Sequence, residues 1–269
     1  MQKWISRIKK RRWLIAILFI IGVVFLFSSN KIQIEHIEVY FKDLPKELDG
    51  FKIVHLSDLH FPKNVSSIEN ILQLVSAQKP DMIVMTGDMI DYATDVSPTE
   101  LQEFCEGLVQ IADVYAVSGN HERWRSWNGE DWHIVFTDSG VHLIDRSSVV
   151  IGDFTLVGLG DGQRLNKVPH GFTVILSHRP TAVRSRRPID AKDSLIFSGH
   201  AHGGLFRVPF IGGGIAAPDQ RFFPKYTSGL YELPSGSKLV VSRGLGDSLI
   251  PFRINNRPHI PVVTLRVQK

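Results

Sequence analysis

An α/β fold carrying a second, partly antiparallel sheet is the architecture this 269-residue sequence predicts, and three observations carry the prediction. Short apolar runs of buried-strand length recur from residue 50 onward: FKIVHL, DMIVM, VYAV, FTVIL and SLIF. Amphipathic segments separate the first three runs, giving the strand, helix, strand order of an α/β protein. Residues 141–161 (VHLIDRSSVVIGDFTLVGLGD) instead read as consecutive strands turning at Gly152-Asp153, and residues 205–267 are strand-rich without a convincing helix.

The chain opens with a basic segment over residues 1–12 (Lys3, Arg7, Lys9, Lys10, Arg11, Arg12), followed by an uncharged apolar run from Trp13 to Phe27. A transmembrane anchor over 13–29 is expected, the run being close to the lower limit for a span. It reads as an uncleaved signal anchor, because Leu26 and Phe27 stand where a cleavage site needs small residues. Positive charge before the run, against Glu35, Glu38 and Asp43 after it, puts the N-terminus inside. The expected location is therefore the cell membrane, single-pass, with the remaining chain extracytoplasmic. Residues 30–49 follow as a linker and first strand, and 50–269 as one large domain.

Two helices are predicted between the early strands. SSIENILQLVSAQ places Ile68, Ile71, Leu72 and Val75 on one face. SPTELQEFCEGLVQI offers Ser97 as cap, Pro98 in the first turn and Glu100 completing a capping box, ahead of the stripe Leu101, Phe104, Cys105 and Leu108. The formal charge of +4 is mild and partly confined to the first twelve residues, so no nucleic-acid partner is implied. Cys105 is the single cysteine; it excludes an intrachain disulfide and a thiolate-rich zinc site, so a metal must be held by nitrogen and oxygen.

Each apolar run stops at a small residue followed by side chains able to bind metal: Asp58 and His60; Asp88; Asn120, His121 and Glu122; His178; His200 and His202. In open α/β sheets ligands gather outside the carboxyl ends of the strands, where residues far apart in sequence converge. Two aspartates, one asparagine and four histidines suit Mn, Fe or Zn and are too nitrogen-rich for Ca or Mg. One carboxylate must bridge if two ions lie about 3.5–4 Å apart. With so few acidic ligands, positive charge is left over to attract an anionic substrate and to acidify a bound water, which points to phosphoester hydrolysis.

The motifs DLH, GD, GNHE, SH and GHAH, in this order, resemble those of the calcineurin-like metallophosphoesterases over about residues 50–269. GHAHGGLFRVP and SRGLGDSLIPFRINNRP resemble the compact bacterial membrane-associated phosphodiesterases within that family. The resemblance implies a four-layer α/β/β/α sandwich of two mixed sheets and two divalent metal ions. One ion would take Asp58, His60, Asp88 and His202; the other would take Asp88, Asn120, His178 and His200, with Asp88 bridging. It implies that His121 acts on the scissile phosphate and its leaving oxygen, that Glu122 orients His121, and that a hydroxide bridging the ions attacks phosphorus in line. His259 departs from the branch, where an acidic residue is expected, and bears on tail packing or substrate contacts.

Arg207 and Arg243, close to the matched motifs, are candidate substrate contacts. His55 is a candidate neighbour of the ligands, and Asp91 either such a neighbour or a cap. The short stretch between Glu122 and Val141 leaves no room for a large lid, so the site is expected to be open. The expected activity is that of a metal-dependent phosphodiesterase on a phosphate ester, of a lipid or a cell-envelope polymer. Two alternatives stand beside it: a UDP-2,3-diacylglucosamine pyrophosphatase of lipid A synthesis, and an inactive metal-binding membrane scaffold.

Overall fold

The computed structural model describes residues 11–13, 15, 17, 18, 22, 30–63, 66–94, 97–126, 132–164, 169–184, 194–207, 213–247 and 253–268. Most of the expected anchor over 13–29 lies outside the described residues, among which no helix is long and apolar enough to cross a membrane.

The first sheet is built from β1 (Gln33–Phe41), β2 (Lys52–Leu56), β3 (Met82–Met85), β4 (Asp113–Ala116), β5 (His142–Leu143) and, from the far end of the chain, β14 (His259–Val267). Its order is β1-β14-β2-β3-β4-β5; β2 to β5 run parallel, and β14 pairs antiparallel with β2 but parallel with β1 over nine residues. The second sheet combines β6 (Ser147–Ile151), β7 (Phe154–Leu159), β8 (Thr173–Ser177), β9 (Ser194–Ser198), β12 (Gly229–Glu232) and β13 (Lys238–Val241) in the order β12-β13-β9-β8-β7-β6. Its inner strands are parallel and its two edges antiparallel.

Alternation along β3 shows why both faces of the first sheet are apolar. Met82 and Val84 enter the cluster between the two sheets, with Ile53, Val174, Phe197 and Val263. Ile83 and Met85 point the other way, under the helices. Those helices are α1 (Ile68–Ser76), α2 (Pro98–Val109), α3 (Asn120–Ser126) and α4 (Trp132–Asp138). The first two match expectation: α1 buries Ile71 and Val75, and α2, capped by Ser97 through Glu100 N, buries Leu101, Phe104, Cys105 and Leu108; Ser67 also caps α1 through Asn70 N.

Helices α3 and α4 were not expected; at seven residues each they are too short for a stripe to show in the sequence. The outer face of the second sheet also differs from expectation. Among the described residues it is covered by the 3-10 turn Pro180–Arg184 and by the hairpin of β10 (Ala216–Ala217) and β11 (Arg221–Phe222), not by an α-helix.

Candidate metal centre

Because β2, β3 and β4 are parallel, Asp58, Asp88 and Asn120 leave the first sheet at one edge. His178 and His200 leave β8 and β9 at the same edge, where the two sheets touch. The contact is close: a Cβ on Gly199 would lie 1.9 Å from Ser57 Oγ and 2.3 Å from Asp58 Oδ2, and one on Gly119 would lie 2.2 Å from Asp88 Oδ1. Only glycine allows these loops to approach so nearly.

Three groups of side chains converge there, each with donor atoms within 4.8 Å of one another: Asp58, His60 and His202; His60, Asp88 and His121; Asp88, His178 and His200. Asn120 joins the last through Oδ1, 3.0 Å from His178 Nε2. All seven residues expected to bind metal are buried, and His121 is partly exposed beside them. Asp58, His60, Asp88, His200 and His202 all have positive φ, between 45° and 62°. Backbone held in this sparsely populated region is typical of functional sites, and nothing in the sequence signals it.

Hydrogen bonds fix which atoms face the centre. His178 Nδ1 donates to Thr86 O at 2.8 Å, which turns Nε2 to Asp88 Oδ2 at 3.2 Å. The Tyr92 N–H donates to His121 Nδ1 at 3.2 Å, so the neutral ring carries its proton on Nε2, aimed at the centre 3.9 Å from Asp88 Oδ2. His60 Nε2 and His202 Nε2 face each other at 3.3 Å, with Asp58 Oδ1 3.6 Å from the latter. Among the described residues, Nδ1 of both rings has no hydrogen-bond partner. Two facing imidazole nitrogens beside a carboxylate are a donor set that a cation between them would satisfy, so these residues fit a divalent metal.

The electrostatics agree. Burial and the neighbouring charges leave His60 at about 4, and burial with the adjacent His60 holds His202 well below the usual imidazole range, so both rings are neutral at pH 7. Burial opposes ionisation of Asp88 and of His178. Their mutual attraction outweighs it, holding the Asp88 carboxyl low and raising His178 to about 10. A proton on His178 thus stands where a cation would. Asp58 is pushed up to about 6 by burial.

The buried Glu122 faces the loop that carries Asp88. Its carboxylate accepts from Asp88 N at 2.8 Å, Met89 N at 2.6 Å, Ile90 N at 3.1 Å and Gly119 N at 2.7 Å, clasping the loop that carries Asp88. The Tyr92 N–H fixes the His121 ring, and Asp91 Oδ2 lies 3.6 Å from His121 Nδ1 and 4.0 Å from His60 Nδ1. Asp91 also caps its own turn through Ala93 N and Thr94 Oγ1. His55 reaches the centre by relay: Nε2 bonds Thr86 Oγ1, which donates to Ser57 Oγ, which donates to Asp58 Oδ2.

Arg243 and Arg207 lie under the His202 turn. The buried Arg243 donates to Gln33 Oε1 and Arg257 O, and Arg207 to Gly203 O and Thr227 Oγ1. The SRGLGD motif backs Asp58, with Leu245 N and Gly246 N donating to its carbonyl, and Asn256 Nδ2 donates to His202 O. His259 is buried outside the three groups, 2.7 Å from Glu35 Oε2. Sequence reasoning missed Asp219, whose Oδ2 is 3.1 Å from His200 Nε2 and which shares Arg179 with Asp161. An aspartate nineteen residues beyond His200 carries no signal of that contact in one dimension.

The model of the family described as calcineurin-like phosphoesterase matches residues 51–204. Phosphodiesterase YaeI of Escherichia coli (strain K12) is 30% identical over 249 residues, which cover 86% of this chain and 87% of YaeI. The uncharacterized metallophosphoesterase YkuE of Bacillus subtilis (strain 168) is 29% identical over 245 residues, covering 83% of this chain and 82% of YkuE. UDP-2,3-diacylglucosamine pyrophosphatase LpxG of Chlamydia muridarum is 25% identical over 272 residues, covering 76% and 81%. With its strand-end cluster of aspartates and histidines, this chain belongs to the calcineurin-like phosphoesterase family and is a metal-dependent phosphoester hydrolase.

Proposed function

We propose that this protein is a dinuclear phosphodiesterase anchored in the cell membrane, its catalytic domain extracytoplasmic. The observation that carries the reading is the overlap of the three donor groups: Asp88 belongs to two of them, as a carboxylate shared between two ions must. Asp58, His60, Asp88 and His202 would hold one ion, and Asp88, Asn120, His178 and His200 the other. Bound there, two divalent ions supply an activated water and Lewis acidity toward phosphoryl oxygens.

The chain's own residues supply the rest. His121, with its Nε2 proton directed inward, donates to the phosphoryl group and its leaving oxygen. Glu122 holds the Asp88 loop in register with Gly119. Asp91 places a carboxylate beside the His60 and His121 rings. The chain divides at residues 12, 29 and 49 into a basic segment, an anchor, a linker with the first strand, and the catalytic domain.

The test compares the full-length protein with its Asp88→Asn variant, both supplied with Mn²⁺, on bis-p-nitrophenyl phosphate. Hydrolysis by the parent and none by the variant is expected; equal rates in the two would refute the assignment of Asp88. The name of the Chlamydia relative favours a second reading, cleavage of the pyrophosphate in UDP-2,3-diacylglucosamine. That chemistry needs a cytoplasmic site, against which the basic N-terminal segment argues.

A further inference from the structure

The start of the folded domain and the metal centre lie at the same edge. Strand β1 runs parallel to β14, and β14 antiparallel to β2, so β1 begins where β2 ends. Gln33 pairs with His259, and the β14–β2 register continues to set His259 level with Ser57, one residue before Asp58. This entry point is tied down: Arg257 donates to Lys31 O at 2.8 Å and to Ile32 O at 3.3 Å, and Arg243 to Gln33 Oε1 at 2.9 Å. From Phe27, where the apolar run ends, to Gln33 a chain can span at most about 20 Å. A membrane holding that run therefore lies close to the metal edge.

The same edge carries exposed apolar side chains. Phe223 and Phe222 are 83% and 75% exposed, more than any other large apolar residue described. They sit at the end of the β10–β11 hairpin between the exposed cations Arg221 and Lys225. The hairpin reaches the centre directly, since Asp219, within it, bonds His200 Nε2 at 3.1 Å. A cavity lined by Thr181, Asp219, Arg221, Phe223 and Lys225 opens beside this bond. On the His121 side the rim is again aromatic: Tyr92 and Trp124 are both exposed, their rings edge to face at 5.1 Å. Aromatic tips flanked by lysine and arginine suit the boundary of an anionic bilayer, where rings enter the acyl region and cations meet phosphates. A water-soluble polymer would give the two phenylalanines no apolar medium.

We propose that this edge faces the bilayer, that Phe222 and Phe223 at the open end of the β10–β11 hairpin enter it, and that the phosphoester taken by the metal centre is carried on a membrane lipid. Water adds across one P–O bond of the lipid phosphodiester, leaving a phosphomonoester and an alcohol. The inference rests on the phosphoesterase reading above and on the anchor over residues 13–29.

The test reconstitutes the full chain, with Mn²⁺, in vesicles of phosphatidylglycerol and phosphatidylethanolamine. A Phe222→Cys variant carries a polarity-sensitive fluorophore; Cys105 stays unlabelled, being buried with its thiol pushed up to about 12. A Val150→Cys label, at an exposed position on β6 at the opposite edge, is the control. The expected result is a blue shift and quenching by brominated lipid at position 222 and neither at 150. Phe222→Ser with Phe223→Ser should lower phospholipid cleavage at least about tenfold while leaving bis-p-nitrophenyl phosphate hydrolysis unchanged.

A label at 222 as aqueous as that at 150 would overturn the proposal. So would equal loss on both substrates in the double variant, or intact phospholipid where the soluble diester is cleaved. Failure of the parent to cleave even the soluble diester would instead overturn the underlying phosphoesterase reading, and the label would still report which way the edge faces.

Discussion

Replacing Gly199 by alanine adds one methyl group at the point where the two sheets meet, and its effect can be worked from distances. Gly199 does not occupy the left-handed region, so alanine adopts its backbone without strain and the whole effect is steric. The new Cβ would lie 2.3 Å from Asp58 Oδ2 and 1.9 Å from Ser57 Oγ, against an ordinary contact of at least 3.4 Å, so the carboxylate must retreat by about 1 Å. Metal ligands tolerate about 0.2 Å, and Asp58 is also tied through His200 N and Ser57 Oγ, so that retreat cannot be absorbed locally. Overpacking of this kind costs about 1–3 kcal/mol, and displaced ligation on the order of 100-fold in metal affinity. Thermal unfolding without metal and Mn²⁺ titration calorimetry measure the two separately. A Gly199→Ala protein that binds two ions with parental affinity would refute the claim that sheet contact at this residue sets the position of Asp58.

His121→Ala should leave both ions bound, as counted by metal analysis, while lowering kcat by about 10² to 10⁴; loss of metal would show that the ring is a ligand instead. Asp219→Asn should weaken Mn²⁺ binding by about 10-fold or more, because its carboxylate orients the His200 ring, and calorimetry on the protein without substrate reads this directly. Acid should destabilise the fold through His55, whose pKa burial lowers to about 3 and whose Nδ1 has no partner to receive a proton. Because the folded pKa lies below the unfolded value of 6.5, this contribution is complete above pH 6.5 and is lost as pH falls toward 3. Between pH 7 and 5 the stability of the parent relative to His55→Asn should drop by about 2 kcal/mol in urea titrations; a pH-independent difference would show that folding leaves the His55 pKa unshifted.

Much of the centre was legible because strands end abruptly. A buried apolar run followed by glycine or serine and then by aspartate or histidine is a local pattern, and five repetitions of it in fixed order name the donors without any knowledge of distance. The cap Ser97 and the buried faces of α1 and α2 were legible for the same reason, each depending on residues three or four apart. What escaped depends on long-range approach. Glu122 clasping the Asp88 loop joins residues more than thirty apart, and β1 lying parallel to β14 joins the two ends of the domain.

By itself, then, the sequence determined the chemical inventory: nitrogen and oxygen donors in place of thiolates, enough apolar strands for two sheets, and a basic apolar head. Only the tertiary structure decided which side chains cluster about Asp88, which nitrogen of His121 and of His178 turns inward, and that β1 begins at the edge where β2 ends. The physical reason is that ligation and tautomer depend on contacts of a few ångströms between residues brought together by sheet packing, and one-dimensional order carries no measure of such distances.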